Sequence, residues 1–353
     1  MNGVLVARLD SLGDVLLAGP AVRAVAARHR VTMLCSQQGA PAAGLLPGVA
    51  QVLTWQCPWI VSPSPAVRSE DLEDLVTRIG SHRFDEAVIL TSFHQSPLPL
   101  ALALRLAGVP RITGASVDYA GSLLDIRLRP GEDFPEDEPE PVRALTIAAA
   151  AGHRLPPGDE GHLAVRPTAE PARWVGEGHY VVVHPGATAA ARTWPAQNHG
   201  ELVSLLAAEG RKVVVTGGPG ETSLTASVAG RAGLDLGGLL DLPQLAAVLA
   251  GADAVVVGNT GPAHLAAAVG TPVVSLFSPV VPAVRWAPYG VPVELLGDQD
   301  APCRGSRARE CPIPGHPCLG EVTAHQALAA VHRLIGPGPR SPMTDPDSLA
   351  GAR

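Results

Sequence analysis

The sequence predicts an α/β protein made of two doubly wound domains, each built on a parallel sheet. Three observations carry this reading. In both halves, short apolar runs of strand length alternate with segments of helical spacing. A proline-rich, acidic stretch breaks the series near the middle, after which it restarts. In the restarted half, strand-like runs end in glycine and small polar residues, at the strand ends where open α/β sheets take ligands.

In the first half, "GVLVAR" (3–8), "VTMLC" (31–35), "QVLTW" (51–55) and "EAVILT" (86–91) read as strands covered on both faces. Residues 14–28, 69–80 and 97–107 have helical spacing between them. The stretch "RPGEDFPEDEPEPVRA" (129–144) reads as a solvated loop, and a helix is expected at 141–152. "RLPPGDEGHLAVRPTAEPAR" (154–173) reads as the interdomain connection. Strands follow in "HYVVVHPGA" (179–187), "RKVVVTGGPGE" (211–221), "DAVVVGNTG" (253–261) and "TPVVSLF" (271–277). Helices are expected at about 197–209, 221–232, 241–250 and 262–269, with a last one at 322–335. The expected domains are 1–168 and 174–335, followed by a tail, 336–353, without fixed structure.

Composition narrows the function. The chain has 353 residues, 46% of them apolar, enough for two cores. Net charge is −7, Lys212 is the single lysine, and no basic block occurs, so nucleic acid is a poor partner. No signal-peptide pattern opens the sequence and no apolar window reaches the roughly 18 residues of a membrane span. A cytoplasmic protein is expected, with peripheral contact to the inner face of the plasma membrane left open. Cys303, Cys311 and Cys318 cluster beside His316, but spacings of seven and six residues are not a usual zinc pattern. A disulfide or packed thiols in a stiff loop is the expectation there.

The strand exits carry the chemistry. The first runs into Arg8, Asp10, Gly13 and Asp14, charge that serves either chemistry or helix capping. In the second half the exits are Pro185-Gly186-Ala187-Thr188, Gly217-Gly218-Pro219-Gly220-Glu221 and Asn259-Thr260-Gly261-Pro262, with His264 one turn on. Thr260 or Asn259 can cap a helix whose free N–H groups, beside glycine, suit a diphosphate. Neither G-x-x-x-x-G-K-[ST] nor a G-x-G-x-x-G after the first strand is present, which disfavours P-loop hydrolysis and NAD chemistry.

Together, "ARLDSLGDVLLAGPAV", "HPGATAAARTWPAQNHGELV", "GGPGE" and "GNTGPAHLAAAVGTPVVSLF" resemble glycosyltransferase family nine, the ADP-heptose heptosyltransferase family, over residues 3–335. The resemblance implies a GT-B fold, two Rossmann-like doubly wound domains facing a central cleft. It implies an inverting, metal-independent transfer from a nucleoside-diphosphate sugar, with no cofactor, to a glycan, glycolipid or small-molecule acceptor. A monomer is expected. Asp14, of the Gly13-Asp14 pair, maps to the general base and Asp10 is its rival, with Arg8 on the acceptor side. Thr188 and Arg192 map to the diphosphate, and Arg192 stands where lysine is usual. Glu221 maps to the ribose, Leu240 to the base pocket, and Asn259, Thr260, Gly261 and His264 to phosphate and sugar. The same residues have plainer readings: Asp14 and Glu221 as carboxylates at helix starts, Arg192 on the surface, Leu240 and His264 in a core.

Two departures stand out. Asn259 replaces the aspartate of the lipopolysaccharide enzymes, which removes a charge from the donor-sugar site. Lipopolysaccharide-core acceptors are acidic, yet the first half has no lysine and more acids than arginines. "WQCPWIVSPSPAVRSEDL" (55–72) reads equally as an acceptor loop or an irregular packed one. Rival classes are a sugar-nucleotide epimerase of the same architecture and a non-catalytic nucleotide-sugar-binding protein. The retained Gly13-Asp14 argues against the latter.

Overall fold

A computed structural model of the protein describes residues 3–166 and 170–338. The first half forms β1 (Gly3–Arg8), β2 (Arg30–Cys35), β3 (Val49–Thr54), β4 (Glu86–Ile89), β5 (Arg111–Ala115) and β6 (Ile126–Leu128). They make one parallel sheet in the order β3-β2-β1-β4-β5-β6. The second half forms β7 (Tyr180–His184), β8 (Lys212–Val215), β9 (Leu234–Asp235), β10 (Ala254–Gly258), β11 (Val273–Leu276) and β12 (Val293–Leu296). Their order is β12-β11-β10-β7-β8-β9, again parallel. Both sheets have the same winding, and strand order reverses between β1 and β4 in one and between β7 and β10 in the other. Those two points are where such sheets open a crevice for ligand.

β1, β7 and β10 are buried along their lengths because helices cover both faces, so their sequences are continuous apolar runs without alternation. β5, β6, β9 and β12 lie outside the strands expected from the sequence. β6 and β9 are edge strands of three and two residues, too short to leave a pattern. The helix expected at 14–28 is two helices, Leu12–Leu17 and Gly19–Ala26, meeting at Ala18. Pro20 has no N–H to continue the first one.

The acidic stretch 129–144 departs from a solvated loop at its C-terminal end. Its last residues begin the helix Glu140–Ala150, where Glu140 and Arg143 are 1% and 2% exposed. The expected terminal helix is present as Ala324–Ile335, capped by Thr323, whose hydroxyl accepts from Gln326 N at 3.2 Å. Cys303 and Cys318 are buried as free thiols in the core that this helix covers, so packing rather than a disulfide holds that loop. Residues 336–338 follow the last helix, and 339–353, the rest of the expected tail, lie outside the described residues. Among the described residues no helix is long and apolar enough to cross a membrane.

The halves meet along the helices Leu12–Leu17 and Gly261–Ala268. A Cβ on Gly13 would stand 2.8 Å from His264 Cδ2, and one on Gly261 would stand 2.7 Å from Leu12 Cδ2, so two glycines permit the approach. Leu17, Ala267 and Ala268 bury together with Leu163 of the connection, and Trp286 and Tyr289 pack on them. The connection therefore lies between the halves up to Arg166; the expected boundary at 168–174 includes residues outside those described.

Candidate active site

A cleft of about 410 Å³ opens where the two crevices face each other. The first half contributes Asp10, Gly13, Asp14, Ser92, His94 and Gln95; the second contributes Thr188, Arg192, Asn259, Thr260, Gly261, His264, Trp286, Arg307 and Arg309. The β1 exit and the β7 and β10 exits, distant in sequence, thus share one space.

Arg8, the last residue of β1, does not line the cleft; it lies beneath it, 3% exposed. Its guanidinium pairs with Asp10 Oδ2 at 2.8 Å, Asp14 Oδ1 at 3.0 Å and Glu140 Oε2 at 3.2 Å, and donates to Ser92 Oγ at 2.8 Å. Burial by itself would lower the Arg8 pKa, but three carboxylates outweigh it and keep the cation charged. A buried charge persists only when paired in this way.

The two candidate bases sit in different environments. Asp14 Oδ1 accepts from Arg8 Nη2 and, at 3.2 Å, from Trp286 Nε1, while Oδ2 accepts from Ser11 Oγ at 2.8 Å. Burial pushes its pKa up; Arg8, Ser11 and Trp286 together overcome that and hold it below the usual carboxylate range. Asp10 pairs with Arg8 and accepts from Gln95 Nε2. Burial, with Asp14 and Glu140 adding to it, pushes Asp10 up to about 6 against the pull of Arg8 and Gln95.

On the opposite wall, Thr260 occupies the N-cap of the helix Gly261–Ala268, but its hydroxyl turns to Gly258 O at 3.4 Å and makes no capping bond. The N-terminus of that helix lines the cleft through Thr260 and Gly261 and has no side-chain cap; Pro262 carries no N–H, and Ala263 N donates to Thr260 O at 3.1 Å. His264 is 5% exposed, its Nδ1 has no hydrogen-bond partner, and burial lowers its pKa to about 4, so its ring is neutral. Arg192 donates to Asn259 O at 3.3 Å; burial lowers its pKa while Asp14 works in the opposite direction. Arg309 donates to Thr188 O at 3.1 Å, joining the 303–318 loop to the β7 exit.

The family model "Glycosyltransferase family 9 (heptosyltransferase)" matches residues 132–316. The chain belongs to this family. It is 29% identical over 166 residues to lipopolysaccharide heptosyltransferase 3 of Escherichia coli, a segment that is 44% of this chain and 47% of that relative. The chain thus aligns with less than half the length of that enzyme. Its fold matches ADP-heptose lipopolysaccharide heptosyltransferase II of E. coli with a TM-score of 0.73 at 19% identity, covering 95% and 98% of the two chains. It also matches E. coli heptosyltransferase WaaC with ADP-2-deoxy-2-fluoro heptose, at a TM-score of 0.66 and 20% identity, covering 94% and 99%. The architecture is GT-B.

Most of the residues that the family resemblance singles out meet in the cleft; Arg8, Glu221 and Leu240 lie outside its lining, and Asn259 lines it with its side chain engaged elsewhere. Glu221 is not in the lining: it accepts from Gly218 N at 2.7 Å, and a Cβ on Gly186 would collide with its carboxylate. Gly186 therefore makes room for a side chain of this chain. Leu240 packs partly buried on the core. Asn259 lines the cleft, but its amide is spent on Ser278, donating to Ser278 O and accepting from Ser278 N, both at 3.2 Å. An aspartate could make only the second bond, which explains asparagine here without reference to a sugar. Among the described residues no group of three or more His, Cys, Asp and Glu is arranged to hold a metal.

Sequence reasoning missed Glu140, Trp286, Arg285, Arg307 and Arg309. Arg285 is 2% exposed, reaches the first half to within 3.8 Å of Glu140 Oε1, and lies 4.4 Å over the Phe93 ring. The only local signals were a tryptophan in a proline-flanked segment and the arginine density of "CRGSRAREC".

Proposed function

We propose that this protein moves a sugar from a nucleoside diphosphate, ADP-heptose being the first choice, to an acceptor hydroxyl with inversion and without a metal. The observation that carries this is the opposition of Asp14 on one wall to Arg192 and the open N-terminus of Gly261–Ala268 on the other. Asp14 takes the acceptor proton as the oxygen attacks the anomeric carbon. The bond to the diphosphate breaks on the far side, where Arg192, Arg307 and Arg309 offer positive charge and the helix presents the positive end of its dipole. Base and leaving group on opposite walls suit a single in-line displacement, which inverts the carbon. Thr188, Thr260 and the neutral His264 supply hydrogen bonds along the donor, and Glu221 and Leu240, at the far strand exits, are assigned to the nucleoside. The acceptor is a glycan, a glycolipid or a small molecule, and the enzyme works as a monomer in the cytoplasm, in reach of the membrane's inner face.

The test is thermal unfolding with ADP-, GDP- and UDP-sugars, followed by release of the nucleotide. Donor at ~100 times its Kd should stabilise the protein by ~2.7 kcal/mol, read as a rise in Tm. If no nucleotide sugar raises Tm, the reading fails.

A further inference from the structure

We infer that the acceptor is an uncharged polyhydroxyl compound, and that carboxylated and phosphorylated acceptors are rejected. This rests on the transferase reading of the cleft and adds the chemical class of its second substrate. The first-half wall presents Ser36, Gln38, Ser62, Ser92, His94 and Gln95; Ser36 and Gln95 already bond to Asp10 and Ser92 to Arg8, while Gln38, Ser62 and His94 make no side-chain hydrogen bond among the described residues. It offers no lysine or arginine among the described residues. The guanidinium beneath it, Arg8, is buried and already committed to Asp10, Asp14 and Glu140. His94 is not a cation either: burial, reinforced by Arg307 and Arg8 and opposed by Asp14, brings its pKa down to about 4.

Two carboxylates, Asp10 and Asp14, line the same wall. The cations of the cleft, Arg192, Arg307 and Arg309, all come from the second half, the side assigned to the donor diphosphate. Of these three only Arg307 acts on His94, together with Arg8 from beneath the wall. With Arg8 and Glu140 beneath the wall included, four arginines against three carboxylates leave one positive charge, and a bound diphosphate, with at least two negative charges, turns the occupied cleft negative. An anionic acceptor would then enter a negative site beside Asp14, in a region with limited water to screen it. A neutral sugar meets no such repulsion and finds hydrogen-bonding partners.

Purified protein is first titrated with ADP by calorimetry. It is then given ADP-heptose and matched acceptor pairs, methyl mannoside with its uronate and methyl glucoside with its 6-phosphate, with products read by mass spectrometry. The expected result is kcat/KM on the order of 30-fold or more in favour of the neutral member of each pair, the size of one uncompensated like-charge contact. Equal or faster transfer to the anionic members overturns the inference, as does ADP binding without transfer to any neutral sugar. Failure to bind ADP instead sinks the transferase reading itself, so the two failures are distinguishable.

Discussion

Trp286 Nε1 donates to Asp14 Oδ1 at 3.2 Å across the cleft, tying the second half to the carboxylate of the first. The tryptophan follows Arg285, which reaches the buried Glu140, so one short segment contacts both the proposed base and the acidic partner of Arg8. Approach of the halves and the basicity of Asp14 are therefore coupled. Trp286→Phe keeps the ring and removes the donor. Asp14 then loses one of the bonds that hold its pKa low, and the pKa rises. A base must be ionised, so activity is lost as pH falls through that pKa. The acid limb of kcat/KM should move to higher pH by about one unit, the linkage equivalent of ~1.4 kcal/mol. A slower enzyme with an unmoved limb would leave Trp286 only a packing role.

Asp14→Asn and Asp10→Asn separate the two carboxylates. Asp14→Asn should slow transfer by roughly 10²- to 10⁴-fold, the range for loss of general-base help, and leave ADP affinity within about twofold. The wild-type profile decides the matter independently. With Asp14 as base, activity persists below the ordinary carboxylate range, because its pKa is lowered. With Asp10 as base, the acid limb falls near pH 6, where burial places that group.

Arg192→Ala should weaken ADP-heptose binding by about 10- to 100-fold, as expected for a charge-assisted contact to phosphate. Its effect on Tm should be small. The guanidinium is desolvated and donates only to Asn259 O, so its removal relieves as much as it costs. Unchanged calorimetric binding would return Arg192 to a structural part.

Asn259→Asp restores the residue found in the lipopolysaccharide enzymes, yet it should destabilise this protein by ~1–3 kcal/mol. The bond to Ser278 O is lost, and a carboxylate is left facing a carbonyl in a buried position. Denaturant unfolding measures this directly. A more stable protein, or one with tighter donor binding, would show that the Ser278 bridge is not why asparagine stands here.

Much of the fold was legible because its cause is local. A strand covered on both faces must be apolar throughout, as in "VVVH" and "AVVVG", and helices between such strands force a parallel sheet. Arg8, Gly13 and Asp14 also belong together locally, since one strand end and one helix start place them. The edge strands left no signal because two or three residues have no period, and Pro20 divided a helix that spacing alone read as continuous.

The sequence by itself determined two parallel-sheet domains and the charged turn after the first strand, because backbone hydrogen bonding and side-chain burial act over a few neighbouring residues. Only the tertiary structure decided what that charge meets. Glu140 lies 132 positions from Arg8 and Trp286 lies 272 from Asp14, and nothing in either local stretch encodes the partner. An acidic, proline-rich segment reads as solvated until burial beside two arginines gives one of its glutamates a partner. Asn259 reads as a ligand until Ser278 takes its amide. Desolvation and pairing are properties of the assembled interior, and they set which of these groups stays charged, which stays neutral and which remains free to act.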